Sequence, residues 1–132
     1  MSEKNAEVVR RGIDAFNRGE VEELLLYANP EIELNVTIDA AERNVYRGHE
    51  GVRTWFADTF EMFEDIRTEV SELRDLGDRI VLLGRTRAIE RESGARRDSP
   101  AGWIFTLRGG KVRNAESFVS QAETLKAAGL RD

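Results

Sequence analysis

The stretch at residues 48–63, GHEGVRTWFADTFEMF, decides the architecture. Val52, Trp55, Phe56, Thr59, Phe60 and Phe63 recur at spacings of three and four, while Glu50, Arg53, Asp58, Glu61 and Glu64 lie mainly elsewhere. That periodicity predicts an amphipathic helix over 49–63 with an unusually aromatic face. Aromatic side chains contribute large buried areas wherever a helix crosses a sheet, so core packing explains each of them at first sight. The segments that follow are strand-like and carry arginines and carboxylates among large apolar residues. The expected arrangement is a curved sheet closed by this helix around a pocket with a few polar groups inside.

Toward the N-terminus, Ala6, Val9, Ile13 and Phe16 form the stripe of a helix over 3–17, and Gly19 ends it. A second short helix is expected over 20–28 on Val21, Leu24 and Leu25, with Asn29-Pro30 opposing its continuation. Residues 31–38 alternate, with Ile32, Leu34, Val36 and Ile38 on one face, and read as a strand. Residues 39–44 read as a loop, and Val45-Tyr46-Arg47 as a short edge strand.

Beyond the long helix, strands are expected over 66–74, 79–90, 103–107 and 112–120. The apolar phase slips between Val70 and Leu73 as at a bulge, and Gly109-Gly110 marks a tight hairpin. A tail helix over 122–128 is stopped by Gly129. The order reads as α+β. Short connections between the last strands disfavour a parallel sheet there.

The 132 residues fit one domain, large enough for a hydrophobic core without disulfide or metal support. Cysteine is absent and histidine occurs once, which excludes thiolate chemistry and argues against a histidine-rich metal site. No metal or cofactor is expected. Twenty basic residues against 25 acidic ones give a formal charge of -5, which disfavours a nonspecific nucleic-acid surface. The arginines at 85, 87, 91, 96 and 97 are interspersed with Glu90, Glu92 and Asp98 and read as a solvated hairpin. No apolar run approaches the roughly 20 residues that cross a bilayer, and the N-terminus is polar, so a cytoplasmic protein without membrane or nucleic-acid partners is expected. There is no phosphate loop, no Gly-x-Gly-x-x-Gly, no His-Glu-x-x-His and no nucleophile elbow.

Three pieces, Ala15-Phe16-Asn17-Arg18-Gly19-Glu20, Ala28-Asn29-Pro30-Glu31-Ile32-Glu33 and Tyr46-Arg47-Gly48-His49-Glu50-Gly51-Val52, resemble the SnoaL-like polyketide cyclase group of the nuclear transport factor 2-like superfamily. Leu76 to Val81, Ser93-Gly94, Gly109 to Val112 and the tail extend the resemblance over nearly the whole chain. It implies a cone of curved antiparallel sheet packed by three helices around a deep apolar pocket, commonly dimeric. Fold does not settle function in such a group. The ketosteroid isomerase pattern puts its tyrosine on Gly12 and its base on Val36, and neither can do that work. The epoxide hydrolase pattern matches Arg85, and less securely Asn35, but its aspartate position holds Arg87. The cyclase acid/base has Glu116 and Asp98 as its nearest candidates, while Ser120 stands where many relatives are acidic.

The candidate catalytic residues are therefore Glu116, His49 and Arg85. A carboxylate in an apolar pocket gains basicity by desolvation, and an inward guanidinium offers fixed donors to an oxyanion. The competing readings are a strand carboxylate paired with arginine on a wet face, a structural ion pair for Arg85, and a helix-start cap for His49. Candidate binding residues are Glu33, Asn35, Trp55, Phe60, Trp103 and Phe118. Glu116 shares strand parity with Phe118, so the two are expected to face the cavity together. Two functions stay open: a cyclase- or isomerase-type enzyme moving a proton on a hydrophobic substrate, and a noncatalytic binding module for an apolar or aromatic small molecule. A homodimer through the outer face of the sheet is expected, with Ile104 and Val119 on that face.

Overall fold

In this computed structural model, which describes residues 2–37 and 42–130, the chain begins with α1 (Ser2–Asn17), α2 (Val21–Leu25), β1 (Ala28–Thr37), β2 (Arg43–Arg47) and α3 (Gly48–Met62). It continues as β3 (Phe63–Asp75), β4 (Arg79–Glu90), β5 (Arg96–Arg108), β6 (Lys111–Phe118) and α4 (Gln121–Ala127). The six strands form one curved, unclosed sheet in the order β2-β1-β6-β5-β4-β3. The α+β class follows. The sheet is mainly antiparallel, but β1 runs parallel to β6, so it is mixed. Ile38, expected as the last residue of β1, lies outside the described residues.

The run Ile80-Val81-Leu82-Leu83 is continuous rather than alternating because β4 is covered on both faces. Ile80 and Leu82 point to the concave side with Leu34, Val112 and Ala115, whereas Val81 and Leu83 join Ile104, Leu125 and Ala128 under α4 on the convex side. Helices α1, α2 and α3 pack on the concave side. Ser120 caps α4 by accepting a hydrogen bond from the Glu123 backbone at 3.0 Å, a role that the Ser-x-x-Glu spacing carries.

Several boundaries differ from expectation for local reasons. The second helix is shorter than 20–28 because the Tyr27 carbonyl already accepts from the Val112 backbone at 2.9 Å, which draws the chain into β1. Pro30 sits where the β1–β6 register shifts, so its missing N–H breaks no regular ladder. Strand β5 starts at Arg96 rather than near Trp103, and Pro100 fits within it because the pairing to β6 begins only at Gly102. The bulge inferred between Val70 and Leu73 is present as a register shift between Val70 and Glu72.

The edge strand β3 is covered by a side chain. Asn17 Nδ2 donates to the Thr68 carbonyl at 2.9 Å, and Asn17 Oδ1 accepts from the Thr68 N–H at 2.8 Å, so one amide stands in for a neighbouring strand. At the other end Gly48, with φ 70°, turns β2 directly into α3. Arg53 on α3 then grips Glu22 of α2 through two hydrogen bonds of 2.9 and 3.1 Å. That guanidinium holds the Glu22 carboxyl below its ordinary range. Because the folded value is the lower one, the clamp contributes fully above the ordinary carboxylate pKa and fades as pH falls through the depressed value.

Candidate functional site: an apolar cavity with an open outer cleft

Between the concave sheet and the helices lies a cavity of about 120 Å³. Its wall is built from the buried stripe of α1 and from inward positions of the strands. Val9, Ile13 and Phe16 descend from α1, Val52 and Trp55 from α3, and Leu82, Trp103, Phe105 and Ala115 rise from the sheet. Alternation explains the sheet contribution, since Leu82 pairs with Trp103, Ile80 with Phe105, and Phe105 with Ala115. The rings interlock. Phe16 stacks on Trp55 at 5.4 Å between centroids, Trp55 meets Trp103 edge-on at 6.4 Å, and Trp103 stacks on Phe105 at 5.6 Å. Offset and edge-on contacts of this kind add to the stabilisation from burial alone.

Phe16, Trp55, Thr68 and Trp103 also border a wider, open cleft of about 1540 Å³, so they form a neck between two compartments. The outer compartment is polar where the inner one is not. Asp58 and Glu61 of α3, and Glu90, Arg91, Glu92 and Arg97 of the β4–β5 hairpin region, lie around it. Arg91 donates to the carbonyls of Phe60, Glu61 and Phe63 and so closes the C-terminal end of α3. Arg97 pairs with Glu90, which also accepts from Ser93 at 2.7 Å; the Ser93 hydrogen bond and then Arg97 hold the Glu90 carboxyl below its ordinary range.

The expected site residues divide between the two faces of the sheet. Trp55 and Trp103 line the cavity, and Phe60 stands behind it, stacked on Phe56 at 4.6 Å and packed against Phe16. Glu116 does not face the cavity. Register pairs Ile104 with Glu116 and Gly102 with Phe118, whereas Trp103 pairs with Ser117. Trp103 and Phe118 therefore lie on opposite faces, and the expectation that Glu116 and Phe118 look inward is corrected. Glu116 instead accepts from Arg43 at 2.5 Å, and the same guanidinium lies 5.9 Å above the Phe118 ring. Phe118 packs beside the α4 cluster and reaches the edge of the outer cleft.

The same parity turns Glu33 and Asn35 outward. Asn35 donates to Asn114 at 3.0 Å, and Glu33 faces Arg47 at 3.8 Å. Arg85 is on the convex side too, where it donates to Asp98 at 2.6 Å, and Arg87 lies 3.8 Å from that carboxylate. This is the structural ion pair weighed for Arg85. His49 lies in the first turn of α3, with Nε2 at 2.9 Å from the Ala28 carbonyl. A carbonyl only accepts, so Nε2 carries a proton and the ring anchors α3 to β1.

Tyr27 and Thr68 add polar groups to the inner wall that sequence reading did not single out. Ser117, one of two buried polar residues among the described residues, bridges β6 to β1: its hydroxyl accepts from the Thr37 N–H at 2.9 Å, and its carbonyl accepts from the Thr37 hydroxyl at 2.8 Å. Val36, the position of the isomerase base, does border the outer cleft, but as a hydrocarbon.

A bent mixed sheet holding an apolar cavity under its helices is the arrangement of the nuclear transport factor 2-like superfamily. Within it, the chain belongs to the SnoaL-like domain family, whose model matches residues 9–115. No curated protein matches the sequence. Among solved structures it is similar to a nuclear transport factor 2-like protein of unknown function from Burkholderia pseudomallei K96243, at 20% identity and TM-score 0.80, covering 93% of this chain and 95% of that one. TerC co-crystallised with polyporic acid is similar at 20% identity and TM-score 0.79, covering 91% and 94%. A protein of ketosteroid isomerase-like fold from Catenulispora acidiphila DSM 44928, in complex with trimethylamine, is similar at 17% identity and TM-score 0.77, covering 95% and 94%. At these identities the likeness concerns the fold. No helix among the described residues is long and apolar enough to cross a membrane.

Proposed function

We propose that this chain binds a small apolar molecule, with an aromatic or branched hydrocarbon part, and does not transform it. One observation carries the reading: among the described residues lining the inner cavity, where the hydrocarbon part would sit, Tyr27 has the only ionisable side chain. Proton transfer needs an acid or base within hydrogen-bond reach of the reacting atom. A cyclase or isomerase mechanism through Glu116, with Arg85 steadying an oxyanion, would require both groups on the cavity side. Their partners, Arg43 and Asp98, support a structural role on the convex face.

The size of the cavity supports a ligand whose buried part is one ring. Its 120 Å³ is comparable to the ~150 Å³ of a dry apolar cavity that accepts benzene. Complexes of two similar structures, with polyporic acid in one and trimethylamine in the other, support small-molecule binding as a use of this fold. Toluene is therefore expected to raise the thermal midpoint and to perturb the fluorescence of Trp55 and Trp103, the only two tryptophans in the chain. Glu116→Gln and Arg85→Ala are expected to leave toluene affinity unchanged. Absence of toluene binding, or its loss in Glu116→Gln, would overturn the proposal.

A homodimer through the convex face belongs to the same reading. Val45, on the convex face opposite Asn35, is 43% exposed, and Phe118 adds a half-buried ring there, whereas Val119, expected on this face, borders the outer cleft instead. Isologous pairing would cover them. Sedimentation at micromolar concentration should report twice the chain mass; a monomer would remove this part of the proposal.

A further inference from the structure

The two compartments differ in polarity, and the charges of the outer one are unevenly compensated. Four carboxylates and two guanidiniums border it. Arg97 is matched by Glu90, and Arg91 is directed into the carbonyls that end α3, where a cation offsets the negative end of the helix. Among the described residues, Asp58, Glu61 and Glu92 have no cationic partner. Asp58 lies three residues after Trp55 on α3, so it stands about 4.5 Å farther along the helix axis, on the outer side of the neck. A ligand that fills the inner cavity and passes between Phe16, Trp55 and Trp103 ends among these carboxylates.

We propose that the cavity selects a cationic amphiphile, with an unsubstituted ring or branched hydrocarbon in the inner cavity and a primary or substituted ammonium in the outer cleft. This rests on the binding function proposed above and adds the sign of the ligand's charge. The cavity defines the site, and the carboxylates set only that sign. Clefts with low-dielectric walls focus the field of the charges around them, so carboxylates on this rim act on a ligand more strongly than on open surface. The formal charge of -5 over the chain acts in the same direction. An anionic analogue of the same shape meets repulsion at the same place.

Three ligands of one shape test the idea: benzylamine, benzyl alcohol and phenylacetate, titrated calorimetrically into the full chain at low and at moderate salt. Benzylamine is expected to bind about tenfold tighter than phenylacetate, equivalent to about 1.4 kcal/mol, with the difference shrinking as salt rises. The triple variant Asp58→Asn, Glu61→Gln, Glu92→Gln is expected to bring the two ligands close to equal affinity and to leave benzyl alcohol unchanged, which also reports that it is folded. If benzyl alcohol binds while phenylacetate equals or exceeds benzylamine, the charge selection is refuted and the apolar binding function stands. If none of the three binds and toluene fails as well, both proposals fall. An amine preference that survives the triple variant would also overturn the assignment to these carboxylates.

Discussion

Gly84→Ala is expected to destabilise the fold by about 3 kcal/mol, at the upper end of the range for overpacking a core. For a chain of this length that is a fall of roughly 10 °C in thermal midpoint. The cause is a close approach of backbone rather than a conformational need of the glycine. A Cβ at Gly84 would lie 2.0 Å from the Glu69 carbonyl oxygen and 3.0 Å from its carbon. Flexible side chains can swing away from such an intrusion, but a main chain held in a ladder cannot. Gly84 pairs with Val70, the residue next to the β3 bulge, so the bulge brings β3 across β4 where β4 has no side chain. Relief would require β3 to lift, straining the Asn17–Thr68 hydrogen bonds that tie its edge to α1. Chemical denaturation with an unchanged m-value is the measurement. A loss below about 0.5 kcal/mol, the ordinary scatter of surface substitutions, would contradict the close approach.

That glycine illustrates how far the sequence reaches. The helices were legible because each buries one stripe, and a stripe at a period of 3.6 residues is visible without knowing what it packs on. The slip between Val70 and Leu73 was legible for the same reason, as a break in a period of two. What it could not convey was that Gly84 lies opposite the slip, because register between strands is set by pairing across the sheet. The same limit explains the site. Parity within β6 placed Glu116 and Phe118 together, and they are together. Trp103 and Phe105 share parity within β5, and both line the cavity.

The missing quantity was the offset between β5 and β6, where one residue of register exchanges the inward and outward sets. Nothing local in Ala115-Glu116-Ser117-Phe118 marks its inner face, since a small residue and a hydroxyl point inward while a large ring points outward. The convex position of Phe118 reflects its place beside the cluster formed with α4. The parallel pairing of β1 with β6 was hidden for a related reason. Those strands are far apart in sequence, and the short connections that argued for antiparallel neighbours apply only to strands that follow one another.

Gly12→Leu is expected to shift stability and binding in opposite directions, a combination that a merely structural cavity would not produce. Gly12 lies in α1 and lines the cavity, and a Cβ there meets Leu24 Cδ1 at 3.6 Å, an ordinary contact. Its backbone is helical, so replacing glycine by a good helix former should gain about 0.8 kcal/mol from propensity alone. The added hydrocarbon enters a space of only about 120 Å³, where it replaces an unfilled volume with packing contacts. The thermal midpoint should therefore rise by a few degrees. The same side chain takes the volume proposed for the ligand's ring, so affinity for toluene should fall by tenfold or more, at least about 1.4 kcal/mol. Gly12→Ala, with a single methyl group, should retain most of the stability gain and most of the binding. If Gly12→Leu stabilises the chain while toluene binds as before, the ligand does not occupy the inner cavity, and the outer cleft becomes the place to look for it.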